Sequence, residues 1–486
     1  MVHESSKWLM EQMGHDIEYW DGLKAEINSK LKLSDPFTTQ TKFAKFIQNK
    51  AMQEGDTTFG EPRKDDLTFN VPSLDDDFQK YKSKEAKQLY VFPTQFNKFG
   101  QRTNSGVSIV DWNRVSLRCE TEVTGLHLDR IDDGSHSCTK VEARDLVSNE
   151  KISFLVKAGG RVVLASGSQS PRLLMRTEEL TNPKIGKRVN DHICMVLGVY
   201  LIKDPEQKKA ITPKNIYEPL LGTMVVKPNT SNLVPTPSEE ISVVNLDFFT
   251  GELDRLLYII SSLFLAYLPF NRIKRFLTRF PGIFSLLCNS IRILLTGLFM
   301  VSNIISRLFS IMTCGRYTSI FETKLATSLI KFNSVKEGYY VKGRGDRIVL
   351  EFFEDERDTI IAEEAILKNL DFLNSLGRKP PFLIRWIFQL ITRIPYEKED
   401  VKSFVEGFSK YRLLSEQHLS GGCVFGDVID KGLDDASQTG KVIGSKNIYV
   451  ADLSAVPLAR VSTQMTAYLV GHHVGKQLYG PKYPSK

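Results

Sequence analysis

The sequence predicts an α+β fold, and three observations carry that expectation. Strand-like alternation is concentrated between Leu89 and Ala165, helical spacing marks both termini and residues 358–376, and a continuous apolar run near residue 165 passes through a Gly turn into a helix start. At roughly 100–200 residues per domain, the 486 residues allow two to four domains, and 42% apolar residues are ordinary for a large core. Wholesale disorder, collagen and small disulfide scaffolds are excluded. The 64 Lys+Arg against 57 Asp+Glu give a formal charge of +7, an excess that comes largely from one segment and gives no reason to expect nucleic acid.

Met1 to Trp20 carries Glu4, Glu11, Asp16 and Glu18 with no apolar run after a basic start, so it does not read as a secretory signal. Trp8, Leu9 and Met13, then Trp20, Leu23 and Ile27, have the spacing of two short amphipathic helices that need a packing partner. A chain opening on packing elements is expected to have lost what preceded them. Residues 35–88 are polar and aperiodic, with helical character at Phe43–Met52 and a Pro/Asp-rich loop at Gly60–Asp77. Strands are expected at Leu89–Val91, Val115–Cys119, Thr121–Leu128 and Val141–Asp145. Ile152–Lys157 alternates like a half-exposed strand, and Val162–Ala165 is continuous like a buried parallel one. Ser170 followed by Pro171 has the chemistry of an N-cap and first turn. A strand feeding a helix through a tight turn is where parallel sheets bind phosphate-bearing cofactors, though the same geometry also occurs with nothing bound.

Arg255–Phe321 differs from the rest of the chain. Leu256–Phe270, Ile283–Ile291 and Ile293–Ile305 are apolar runs punctuated by Arg or Lys alone. None reaches the roughly 20 residues of a clean span, and cation-only punctuation suits the interface of an anionic membrane. Pro381–Ile394, with Trp386, repeats the character. A buried hairpin, an oligomer contact or true membrane spans are the alternatives. Further on, Tyr339–Val341 and Arg347–Phe353 read as strands, and Asp358–Leu376 as a helix with Ile360, Ile361, Ala365, Ile366, Leu370 and Leu373 on one face. The six cysteines lie far apart with no CxxC spacing, which sets the expectation of a reducing, intracellular compartment without a metal site.

The C-terminal hundred residues are the most informative. Glu416–Gly426 places His418 before a Gly-rich turn, Gly444–Ser454 is a buried strand ending in Asp452, and Val461–Gly471 is an apolar helix capped by Ser462 or Thr463. These stretches resemble the glucose–methanol–choline oxidoreductases, flavoenzymes that oxidise alcohol groups, and in particular their pyranose-oxidase-like branch. His418–Gly426 resembles the family's His-x-x-Gly-Thr/Gly-x-x-x-Gly segment, Asn447–Pro457 its Asn-Leu-Tyr-Val-x-Asp-x-Ser-x-x-Pro strand, and Val461–Thr466 its Val-Asn-Pro-x-x-Thr helix start. Upstream, Val162–Met175 resembles Val-x-Leu-Ala-x-Gly-x-x-x-Ser-Pro-x-Leu-Leu, and Ile185–His192 resembles Gly-Lys-Asn-Leu-x-Asp-His.

The resemblance implies a two-domain flavoprotein. Residues 1–192 and 415–486 would form a partial Rossmann-type FAD domain, and 193–414 a substrate domain carrying the apolar, basic insertion 255–321. It implies His418 as the base that accepts the alcohol proton. Asp452 would contact the ribityl chain or pyrophosphate, and Gln464, Met465 and Thr466 would face the flavin pyrimidine at a helix start whose dipole favours the reduced, anionic ring. Val123 would contact adenine through its backbone, with Gly167 and Ser168 near the dinucleotide. Quinone or oxygen would be the electron acceptor.

Two departures qualify these roles. No GxGxxG occurs anywhere in the chain, although the family opens with one, and Tyr19–Glu26 resembles a stretch that follows the family's opening. Where the family has a second catalytic His or Asn, this chain has Ser462, a hydrogen-bond donor but a poor base, which leaves proton transfer to His418. His472 and His473 read as surface or packing residues. A flavin-free protein acting at a membrane surface or in an oligomer is the rival expectation.

Overall fold

A computed structural model of the chain describes residues 6–31, 105–196, 200–202, 221–224, 240–245, 324–333, 336–344, 347–351, 395–406, 414–415, 418–457 and 463–479, with scattered positions in 282–297 and 358–389. Two helices open the described chain, α1 (Ser6–Met13) and α2 (Ile17–Leu31), as the apolar spacing predicts. Their apolar face is fully used: Leu9, Met13, Trp20 and Leu31 are completely buried. The turn between them is made by Gly14 and His15, and the Trp20 indole N–H donates to the Gly14 carbonyl at 2.8 Å. The expected helix at 43–52, the loop at 60–77 and the strand at 89–91 lie outside the described residues.

β1 (Thr121–Arg130), β2 (His136–Asp145) and β3 (Lys151–Leu155) form an antiparallel meander. In its register Leu126 faces Val141, and Val141 faces Phe154. The strand expected at Val115–Cys119 is absent. That stretch pairs with nothing as a strand, and Val115 and Leu117 stand exposed, because alternation alone supplies no partner for the ladder. β4 (Val162–Leu164) runs parallel to β13 (Ile448–Val450), with Val163 opposite Tyr449. β13 is wholly buried, whereas in β4 only Leu164 is, and Val163 is 41% exposed.

After β4 comes helix α3 (Gln169–Arg176). Its N-cap is Ser168 rather than Ser170, and Ser168 makes no side-chain cap bond. The Ser170 hydroxyl is drawn into the protein by a buried carboxylate, so the local cap rule yields to a tertiary contact.

A six-stranded antiparallel sheet follows. It contains β5 (His192–Val196), β6 (Tyr200–Ile202), β7 (Leu221–Met224), β8 (Glu240–Asn245), β9 (Lys324–Asn333) and β12 (Leu414–Ser415), in the order β12-β5-β9-β8-β7 with β6 also on β9. A separate hairpin joins β10 (Tyr339–Lys342) to β11 (Ile348–Glu351) close to the expected ranges. The described positions of 358–374 are helical, with Ala362, Ile366, Leu370 and Leu373 completely buried. The face is rotated from the expected one: Ile360 is exposed and Ala362 takes its place, which restores an i, i+4, i+8, i+11 stripe. Helix α4 (Glu399–Glu406) precedes β12, and helix α5 (Gln464–Tyr479) closes the described chain.

One hydrophobic cluster joins α1 and α2 to β4, β13 and α5 through Trp20, Leu23, Ile27, Leu164, Ile448, Val450, Leu469 and Val470. The N-terminal helices therefore pack against the C-terminal segment. Of the expected membrane-seeking insertion, described positions within 282–297 are helical with Leu286, Ile293 and Leu294 exposed, and Trp386 lies outside the described residues. Among the described residues no helix is long and apolar enough to cross a membrane. Cys119, Cys138 and Cys423 are free thiols, and no cluster of His, Cys, Asp or Glu there could hold a metal ion.

Candidate functional site

Two groups of polar residues meet where the chain returns to the N-terminal elements. The first lies at the carboxyl ends of the parallel pair β4 and β13. Gly167, at φ +60°, turns the chain from β4 toward α3, and Asp452 follows β13 and caps a 3-10 turn at Leu453–Ala455. Asp452 is 7% exposed. One carboxylate oxygen accepts from the Gly167 N–H at 2.9 Å and the Ser170 hydroxyl at 2.5 Å. The other accepts from the Ser454 N–H at 2.8 Å and the Ser454 hydroxyl at 2.6 Å. Four donors fill the four lone-pair positions of a carboxylate. Burial pushes the carboxyl up from its ordinary range, while the bonds from Ser170, Ser454 and Gly167 favour the ionised form. Asp452 is thus a clamp between two strand ends, and its side chain has no position left for a ligand.

Asp452→Asn is expected to lower the unfolding free energy by about 2–3 kcal/mol, because the amide turns donors toward donors already held by the carboxylate. Urea unfolding of the two proteins measures the difference, and a change under about 0.5 kcal/mol would show the clamp to be dispensable.

The second group is built by the six-stranded sheet. Ser415 in β12 pairs with Ile193 in β5, so His418, three residues on, is delivered beside His192 at the start of β5. The two Nδ1 atoms are 2.8 Å apart and the rings are T-shaped with centroids 5.0 Å apart. The Asp191 carboxylate accepts from the His418 backbone N–H at 2.9 Å. Asp191 and His192 are 5% and 3% exposed, and the His418 residue is half-buried.

Beyond His418 the strands tighten around a Gly turn. Ser420 and Asn190 exchange backbone hydrogen bonds. Gly421 sits at φ +78° with its Cβ position 1.8 Å from the Arg188 carbonyl oxygen, so no side chain fits there. The Cys423 and Phe425 N–H groups donate to the Ser454 and Ala455 carbonyls, which ties this loop to the turn after Asp452 and makes the two groups one site. Burial pushes the Cys423 thiol well up, so it is a packing residue rather than a nucleophile.

The other sequence-expected residues are placed less centrally. Val123 is 44% exposed on β1, and the Ser168 carbonyl accepts from the Tyr340 hydroxyl at 3.2 Å. Gln464 is exposed, whereas Met465 and Thr466 are completely buried, so their side chains face the core. Ser462 lies outside the described residues. Sequence reasoning passed over His192 and Asp191 as site residues. The signal was present, since they end the Ile185–His192 stretch.

A family description, "GMC oxidoreductase", matches residues 342–471. A truncated GMC-type inactive oxidoreductase of Acanthamoeba polyphaga mimivirus is 36% identical over 66 residues, which is 13% of this chain and 74% of that protein. The chain belongs to the GMC oxidoreductase family. Among solved structures, an FAD-dependent oxidoreductase from Chaetomium thermophilum shares the fold at a TM-score of 0.50 and 12% identity, over 90% of this chain and 72% of that one. Formate oxidase from Aspergillus oryzae aligns at 14% identity with a TM-score of 0.49, covering 79% of this chain. This chain spans 64% of that protein's length.

The residues present fit the ring-bearing end of a flavin. His418 is backed by a second imidazole, and among the described residues, Gly167's own chain neighbours aside, none comes within 4 Å of where a Cβ on Gly167 would stand. The sequence contains no GxGxxG turn, the element that offers backbone donors to a dinucleotide's phosphates.

Proposed function

We propose that this chain carries the substrate-side half of an FAD-dependent site that oxidises the CH–OH group of an alcohol or sugar. The supporting observation is the half-buried His418, held through its backbone by Asp191 and through its ring by His192. FAD, when bound, supplies the hydride-accepting centre, with quinone or oxygen as the final acceptor. Loss of hydride from carbon requires loss of the hydroxyl proton, and His418 takes it at Nε2. Ser462, placed at the helix start by the family resemblance alone, has a hydroxyl able to donate a hydrogen bond to an alkoxide but is a poor base. The backbones of Val123, Gly167, Ser168 and the first turn of α5 at Gln464–Thr466 line the cofactor, while Asp452 holds that frame from within. Residues 193–414 form the substrate-facing domain.

The test is anaerobic mixing of the purified chain with excess FAD and a panel of primary alcohols and sugars. Donor-dependent bleaching of the flavin band supports the proposal. Bound FAD that no donor bleaches would refute it and favour a flavin-free role.

A second reading concerns the insertion: exposed Leu286, Ile293 and Leu294 in a segment whose only charges are cationic favour contact with an anionic membrane surface. Co-sedimentation with phosphatidylserine vesicles at low salt, lost at high salt, is the expected result. No sedimentation at low salt removes this reading.

A further inference from the structure

The His192–His418 contact has a direction, and the direction decides what His418 can do. Two ring nitrogens 2.8 Å apart share one hydrogen. Of two neutral rings, one therefore carries its hydrogen on Nδ1 and the other on Nε2. If His192 donates, His418 bears its hydrogen on Nε2 and presents a donor to the site. If His192 accepts, His418 bears it on Nδ1 and its Nε2 is unprotonated, the only form that can take a proton there.

We propose that His192 is a positioning residue that accepts from His418 and so holds it as the Nδ1–H tautomer. The inference rests on the function proposed above, in which His418 receives the hydroxyl proton at Nε2. The base role sets the direction, and three features support His192 as the positioning partner. His192 is 3% exposed, and its backbone is fixed at the head of β5 opposite Asn333 of β9, which limits how far the ring can swing. The neighbouring Asp191 carboxylate, itself 5% exposed, is bonded to the His418 backbone and places negative potential beside the pair. When His418 gains its second proton, the Nδ1–H bond to His192 persists and becomes charge-assisted, so the partner that sets the tautomer also steadies the cation formed. The proton balance is simple: hydroxyl to His418 Nε2, then to solvent past a half-buried residue.

The test reads the tautomer directly on the full chain, without flavin. In protein labelled with 15N-histidine, long-range proton–nitrogen correlations at mildly alkaline pH distinguish the two forms, and a His418→Gln variant assigns the signal. The expected result is Nδ1–H for His418 in the parent. His192→Asn, whose amide oxygen can accept in place of Nδ1, keeps that form, and His192→Leu moves His418 toward Nε2–H. An Nε2–H signal in the parent overturns the proposal, as does a His418 signal unchanged in His192→Leu.

On FAD-supplied protein, His192→Leu is expected to lower kcat about 10–100-fold with KM little changed, and His192→Asn to recover most of it. A parent that shows the Nδ1–H form but oxidises no donor would count against the proposed function and leave the tautomer assignment standing.

Discussion

His418→Ala is expected to slow donor-dependent flavin reduction by roughly 10²–10⁴-fold, the usual contribution of a general base, with flavin affinity unchanged. The magnitude follows from the site's composition. His192 is turned toward His418 rather than standing free, and Asp452 has both carboxylate oxygens occupied. Ser462 offers a hydroxyl, a poor base, so Ser462→Ala should cost far less, and Ser462→His could raise the rate by adding a second imidazole. Stopped-flow reduction compares the variants. A His418→Ala protein that binds flavin and keeps a rate within about threefold of the parent, under roughly 0.7 kcal/mol in barrier, would place the base elsewhere.

The second large effect is acid sensitivity of the packing between α2 and α5. His473 is completely buried, its Nδ1 is 2.8 Å from the Tyr19 hydroxyl, and its ring lies 4.8 Å from that of Trp20 and 5.0 Å from that of His15. Burial first, then the nearby His15 and His472, lowers its pKa from 6.5 to about 3. Burial lowers that of His15 as well, against the pull of Asp16. A histidine depressed in the folded state contributes stability that is intact above about 6.5 and is lost as pH falls from there toward 3. The slope is about 1.4 kcal/mol per pH unit for one proton.

Glu26 extends the effect to lower pH. Burial opposes ionisation, but Lys476, Lys30 and His472 bond to its carboxylate and hold it well below the usual range, so its contribution disappears as pH falls below about 4.5. Urea midpoints should therefore drop steeply between pH 7 and 5 in the parent, and His473→Gln should flatten that limb. Equal slopes in the two proteins would show that the buried imidazole is not the cause.

The sequence reading was strongest where a pattern is local and repeated. The stripes Leu9–Met13 and Trp20–Leu23–Ile27 gave α1 and α2, and the apolar run at Val162–Leu164 gave a parallel strand. It failed where a partner far along the chain decides. Val115–Cys119 alternates but joins no ladder among the described residues, and Ser170 has cap chemistry but is claimed by Asp452, which is 282 residues away. At the site, His418 was legible from its Gly-rich context. Its partnership with His192 was not, because the contact spans 226 residues and depends on the pairing of β12 with β5. His473 reads as a surface or packing residue, and nothing in its neighbourhood along the chain announces Tyr19 and Trp20 as its neighbours.

That contact between α2 and α5 also bears on how the protein is made. Tyr19 and His473 touch across 454 positions. At roughly 5–20 residues per second, a ribosome needs roughly 20–90 s to supply the second partner after the first has emerged. For that interval the part of the α2 face that packs on α5, around Tyr19 and Trp20, lacks that helix as its mate. The cover over α2 is thus completed only when α5 has been made, and the yield in a cell should depend on what shields Tyr19 and Trp20 until then.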